Sequence, residues 1–170
     1  MKKVLLLVLS ILVISCSTCF AMTQVQMNDN FGAGGMIERY NHLAGNSSLD
    51  MNNCLANELR YIGQDSNYDA YGSQCRNNNL ILFQCNKAGY VVGCMITGPD
   101  RNTVIKETLV MMTVITNYEQ ASETCKQAVS NSFTNGSTQI WYSNNMNRYY
   151  CINVNCINGL YRATLIAVVQ

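Results

Sequence analysis

Asn158-Gly159 stands between two runs, Arg148–Ile157 and Leu160–Val169, that are rich in β-branched and aromatic residues. Asn-Gly supplies the two left-handed positions of a type I′ turn, whose twist matches that of two antiparallel strands. The pair therefore commits the end of the chain to a hairpin. It also sets the register, because cross-strand partners point the same way and side chains alternate. Ile152, Val154 and Cys156 then share a face with Leu165, Ala163 and Tyr161. A further strand over Thr138 to Ser143, with a turn at Asn144-Asn145, makes this region a β-meander.

Residues 79–98 read as a second hairpin, turning at Asn86-Lys87-Ala88-Gly89. The expected pairing sets Cys85 against Tyr90, Phe83 against Val92 and Ile81 against Cys94, an apolar core face. Residues 103–115 (TVIKETLVMMTVI) are expected to form a third strand, although Ile105, Leu109 and Met112 also fit helical steps. Thr116-Asn117-Tyr118-Glu119 has the form of a capping box. A helix over Thr116–Asn135 follows, with Tyr118, Ala121, Cys125, Ala128, Val129 and Phe133 on one stripe and Gly136 as its stop. A shorter helix is expected over Ser47–Ile62, with a long loop at 63–78. Residues 22–46 have no clear period and carry Gly32, Gly34 and Gly35, so they read as a flexible, extended segment with one helical turn around Met36 to His42. The expected fold class is α+β: an antiparallel sheet of five to six strands packed by one main helix, with a second N-terminal helix, in a domain over 47–170.

The first 21 residues have the layout of a secretory signal: Lys2 and Lys3, an apolar run from Val4 to Ile14, then small residues ending at Ala21. This predicts an exported protein (periplasmic, cell-surface or secreted) with no membrane span in its mature form. Val13-Ile14-Ser15-Cys16 also resembles a bacterial lipobox, which makes lipidation of Cys16 and a lipid anchor the alternative. In an oxidising compartment Cys54, Cys75, Cys85, Cys94, Cys125, Cys151 and Cys156 are disulfide candidates, and the fold is expected to be disulfide-stabilised. Cys125, central on its helix stripe, is the one placed to pair with Cys54, Cys85, Cys94 or Cys156. Cys85 with Cys94, and Cys151 with Cys156, are expected to stay apart.

Composition narrows the function. Two of the eleven Lys and Arg lie in the leader, leaving nine against ten Asp and Glu, with no basic run. Nucleic-acid binding, which needs a basic footprint, is set aside. Past the leader no Cys/His spacing suits zinc, so no metal or other cofactor is expected. The single histidine, His42, precedes Cys54, the reverse of the papain-like order, which argues against a cysteine hydrolase. Asp65, Asp69 and Glu58 are the carboxylates that a glycan or cell-wall hydrolase would use.

Aromatic residues among Asn, Ser and Gly occur twice, at 67–73 and 141–150. Rigid rings beside adaptable hydrogen-bonding groups suit a binding surface. The candidate ligand-binding residues are Tyr68, Tyr71, Trp141, Tyr142, Arg148 and Tyr149, set against the plainer reading of strand aromatics around an Asn-rich turn. The functional expectation is a non-catalytic exported binding or interaction domain for a protein or glycan ligand. The alternatives are an exported hydrolase acting through the loop carboxylates and a structural subunit of an envelope assembly.

Overall fold

The structure is a computed structural model, and it describes residues 22–47, 50–118 and 121–169. The leader, the lipobox and Cys16 lie outside these residues. The chain forms β1 (Thr23–Val25), α1 (Ala33–Gly45), β2 (Arg60–Gln64), β3 (Tyr68–Gln74), β4 (Leu80–Asn86) and β5 (Val91–Gly98). Two helices follow, α2 (Arg101–Ile115) and α3 (Glu123–Asn135), and then β6 (Gln139–Ser143), β7 (Arg148–Ile157) and β8 (Leu160–Val169).

The strands make one antiparallel sheet in the order β2-β3-β4-β5-β8-β7-β6. β1 pairs with the end of β8, Thr23 opposite Val169 and Val25 opposite Ala167. Two meanders, β2–β5 and β6–β8, are thus sewn together where β5 meets β8. The helices pack against one face of this sheet. Ile81, Phe83, Cys94 and Ile96 of the first meander and Tyr150, Ile152, Val154, Ala163 and Leu165 of the second meet Met36, Tyr40, Val104, Met111, Met112 and Val129 from the helices. The result is two layers with one principal core.

The last hairpin matches its sequence signal. Asn158 and Gly159 take φ of 53° and 76°, and Ile152, Val154 and Cys156 pair with Leu165, Ala163 and Tyr161. The 79–98 hairpin forms too, with Gly89 at φ 86°, but in another register. A bulge at Val92 sets Cys85 against Val91, Phe83 against Cys94 and Ile81 against Ile96. Tyr90 is left exposed and Val92 leaves the core face.

Several expectations are corrected. Among the described residues the sheet has eight strands rather than five or six, and three helices pack it rather than two. Residues 103–115 lie in helix α2, because Val104, Thr108, Met111, Met112 and Ile115 make a buried stripe at three- and four-residue steps. The Ser47–Ile62 helix is replaced by one 3-10 turn at Asn52–Cys54, an Ala56–Cys75 bridge and strand β2, and the 63–78 loop mostly by strand β3. Within 22–46 the chain forms β1 and α1, whose Met36, Ile37 and Tyr40 are buried. The main helix starts at Glu123 with Ser122 as its cap, while the Thr116 hydroxyl donates to the Met112 carbonyl at the end of α2.

The fold is not disulfide-stabilised among the described residues: no pair of the seven cysteines lies at bonding distance. Cys85 and Cys94 face the same core but stand a diagonal apart, beyond the ~7 Å that a bridge tolerates. Cys151 points to the sheet face opposite the helices, and Cys156 lies exposed near the hairpin tip. Cys125 is buried on α3 without a disulfide partner, so its expected pairing is overturned too.

The position of the α3 cap is open to a direct measurement. Ser122→Ala is expected to lower stability by about 1 kcal/mol, read from the urea midpoint, because the Ser122 hydroxyl accepts the Cys125 N–H at 3.2 Å. A loss of only a few tenths would move the start of the helix back toward Thr116.

Candidate functional site

The six candidate ligand-binding residues divide between the two sides and edges of the sheet. Trp141 faces the helices, where its indole N–H donates to Thr124 Oγ at 3.0 Å and its ring packs 6.1 Å from Tyr150. Arg148 ties the segment after β1 to the β6–β7 turn. It makes a two-pronged ion pair with Asp29 at 2.8 and 3.0 Å and donates to the carbonyls of Met146 and Gln26. These contacts fasten the fold. Tyr71 stacks edge-on with Tyr61 at the β2–β3 edge, 5.6 Å between rings. Tyr142 and Tyr149 stack at 4.9 Å on the face without helices. Tyr68 shares that face but lies on β3, four strand spacings or ~19 Å away from β7. The six therefore form no single patch.

The carboxylates have local tasks. Asp65 accepts the N–H groups of Asn67 and Tyr68 and so shapes the β2–β3 turn. Asp69 is ion-paired with Lys87 at 2.8 Å, and Glu58 is exposed before β2. His42 is exposed in the last turn of α1. Among the described residues no group of three or more His, Cys, Asp or Glu could hold a metal ion, and no helix is long and apolar enough to cross a membrane.

A carboxylate that the sequence reading did not single out sits at the centre of the helix side. Glu107 of α2 is fully buried. Its Oε1 accepts from Asn77 Nδ2 at 2.9 Å and its Oε2 from Asn79 Nδ2 at 2.7 Å, both from the β3–β4 connection. The Cys54 thiol also bonds this carboxylate, and the Tyr40 hydroxyl donates to the Cys54 carbonyl at 3.2 Å. Burial pushes the Glu107 carboxyl above its ordinary range, against the opposing pull of these hydrogen bonds. Burial and the neighbouring carboxylate push the Cys54 thiol up to about 11. A nucleophilic cysteine must be a thiolate near neutral pH, so this arrangement holds a helix to a loop and does not activate sulfur. Its sequence signal was a lone acid on the 104–108–111–115 stripe, visible only once that segment is read as a helix.

The face opposite the helices has a different character. Three registered rows cross its centre: Gln84–Gly93–Ile166–Cys151, then Leu82–Met95–Thr164–Asn153, then Leu80–Thr97–Arg162–Asn155. No described helix or strand lies over it, yet Gln84, Met95, Cys151, Thr164 and Val168 are only 1–3% exposed. Met22, the first described residue, packs against Cys151, Ile166 and Val168. Four buried polar atoms on this face have no hydrogen-bond partner: Gln84 Nε2, Thr97 Oγ, Thr164 Oγ and Asn155 Oδ1. Folded proteins rarely leave such groups unsatisfied. Among the described residues the face carries Arg60 and Arg162 but not one Asp or Glu.

The Glu107 centre generates two expectations. A β-carbon on Gly98 would fall 2.0 Å from Asn79 Oδ1. Gly98→Ala should displace Asn79 and cost about 1–3 kcal/mol, a cost expected to shrink in an Asn79→Ala background when the two are run as a double-mutant cycle. Because the folded Glu107 carboxyl titrates above its unfolded value, its contribution to stability is complete below the unfolded carboxyl range and is lost as pH rises through the folded value. Melting curves across this interval should show that loss in the parent protein and not in Glu107→Gln; equal slopes would place the titration elsewhere. No protein-family model, no curated protein and no solved structure matches the chain, so the chemistry of these surfaces rests on their own residues.

Proposed function

We propose that the protein is an exported, non-catalytic binding domain whose recognition surface is the sheet face opposite the helices. The observation that carries this reading is the set of four unpartnered, buried polar atoms on Gln84, Thr97, Thr164 and Asn155. Burying such a group without a partner costs about 1–3 kcal/mol, and an apolar residue at each position would remove that cost. Retaining them makes physical sense where a ligand supplies the missing bonds, the usual exchange of stability for function. The stacked Tyr142 and Tyr149 belong to this surface, at its β6–β7 margin. Trp141 and Arg148 support it from behind.

The export part of the reading rests on the leader. Burial shields Cys54, Cys75, Cys85, Cys94 and Cys125 from thiol exchange, which requires an accessible sulfur.

Thr164→Val and Gln84→Met test the surface. Each variant is expected to be as stable as the parent or up to about 1 kcal/mol more stable in urea unfolding. Each should also reduce the amount of any small ligand retained by the natively produced protein, read by native mass spectrometry before and after denaturing extraction. Variants that lose stability would show these groups to be bonded within the fold, and the reading would fall.

A further inference from the structure

We infer that residues 1–21 dock on the helix-free sheet face while they remain on the chain, so that the leader closes the recognition surface until it is removed. The inference rests on the binding reading above for the purpose of the surface and adds its regulation. The docking itself is argued from how the face is buried.

That burial has a footprint. An antiparallel sheet packed on one face leaves the other to water, and neighbouring strands shield a side chain there only from the sides. Yet Gln84, Met95 and Thr164 in the middle of the face are 1–3% exposed, and Leu82 and Ile166 beside them 7% and 8%. The cover stops short of the margins, where Leu80 and Tyr142 on the same face are each 39% exposed. Something other than the described strands therefore lies above the centre of the face and not above its rim. A second copy of the chain or a membrane would reach the rim first, and a stable protein interface takes about 800 Å² from each partner.

The chain itself enters the footprint. It bends at Met22, ahead of β1, and packs the Met22 side chain on the cluster of Cys151, Ile166 and Val168. Twenty-one residues precede Met22, and the eleven from Val4 to Ile14 are apolar except for Ser10. From β7 to β4 the footprint crosses three strand spacings, ~14 Å. Even at the rise of a helix, the shortest regular form, this apolar run reaches ~16 Å. The leader is thus tethered at the edge of the footprint, long enough to cross it, and apolar where Leu82, Met95 and Ile166 are.

Its polar groups also suit the four unpartnered atoms. Gln84 Nε2 is a donor, Asn155 Oδ1 is an acceptor, and the Thr97 and Thr164 hydroxyls can be either. A hydrocarbon meets none of these, and an anion meets only the donors. A peptide carries donors and acceptors in its backbone, and Ser10, Ser15, Ser17 and Thr18 add hydroxyls. Once the leader is gone, the same atoms are left for the ligand.

Cys151 reports the cover directly. It lies within the footprint, whereas Cys156 is exposed and Cys54, Cys94 and Cys125 are buried in the core under the helices. The full chain is made by cell-free translation without membranes, kept reduced, and pulsed with N-ethylmaleimide, with labelled sites read by peptide mass mapping. In the parent, Cys156 should label quickly and Cys151 slowly. Leu7→Lys/Ile11→Lys, which puts two charges into the apolar run, should speed Cys151 by roughly tenfold or more, since labelling follows exposure of the sulfur. Cys54, Cys94 and Cys125 should stay protected, which shows the fold to be intact. A benzoylphenylalanine in place of Leu9, in an otherwise parent chain, should crosslink to β5 or β8 of the same molecule.

Fast labelling of Cys151 in the parent would overturn the inference. So would equally slow labelling in the double variant with the core thiols protected, because the strands would then seal the face unaided. Protection that fades on dilution, with crosslinks between molecules, would assign the face to a second copy and overturn it as well. Should the double variant unfold and label throughout, the crosslink decides: links to the helix layer, or none, sink the inference. If the leader results hold while Thr164→Val and Gln84→Met lose stability, the docking stands and the binding reading falls; the reverse pattern removes the docking alone.

Discussion

The pairing of β5 with β8 is the constraint from which the rest of the architecture follows. Gly93–Gly98 lies against Tyr161–Ile166, residues far apart in the chain, and this contact turns two local meanders into one sheet. It places β5 and β8 at the centre and leaves β2 and β6 as the edges. The connection between the meanders contains α2 and α3 and crosses over one face. That face becomes the core. The other face receives no described layer and carries polar side chains, Gln84, Thr97 and Thr164 among them, between its apolar ones.

Glu107 shows how closely the helix layer is tied to this plan. A buried carboxylate is costly unless donors meet it, and here two asparagine amides and a thiol do so. Asn77 Oδ1 in turn accepts the backbone N–H of Asn79, which holds both amides in place. Gly98, at the end of β5, leaves the room that Asn79 needs. One acid on α2 thereby anchors the helix to the β3–β4 connection and to the central strand at once.

Local chemistry was the part of the fold legible in the sequence. Asn158-Gly159 determines its own turn and hence the register of β7 on β8, so that hairpin could be read residue by residue. The 86–89 turn was equally readable, but the bulge at Val92 shifted the pairing beyond it, and nothing local announces a bulge. Residues 103–115 misled because β-branched residues favour strands, while tertiary burial of the Val104–Ile115 stripe decided for helix. β2 and β3 were missed because Gly72 and the polar residues around it lack strand propensity. They pair because β4 gives them a template and because Ile62 and Leu82 occupy the space above Gly72. On the face opposite the helices, the sequence reading singled out Tyr142 and Tyr149 and passed over Thr164, whose neighbours on β5 and β7 are distant in sequence.

The thiols carry a consequence for how the molecule is made. In the finished fold six of the seven described cysteines are sealed from solvent and Cys156 alone is exposed. A newly made chain exposes all of them, and in an oxidising compartment any two that meet can be joined. Since no two are at bonding distance in the native structure, every such cross-link among them is a wrong one. In such a compartment folding would have to outrun oxidation, and a chain that hesitated there would be trapped covalently. Under those conditions the thiols that pack the finished core, Cys54 against Glu107 among them, would set a time limit on reaching it.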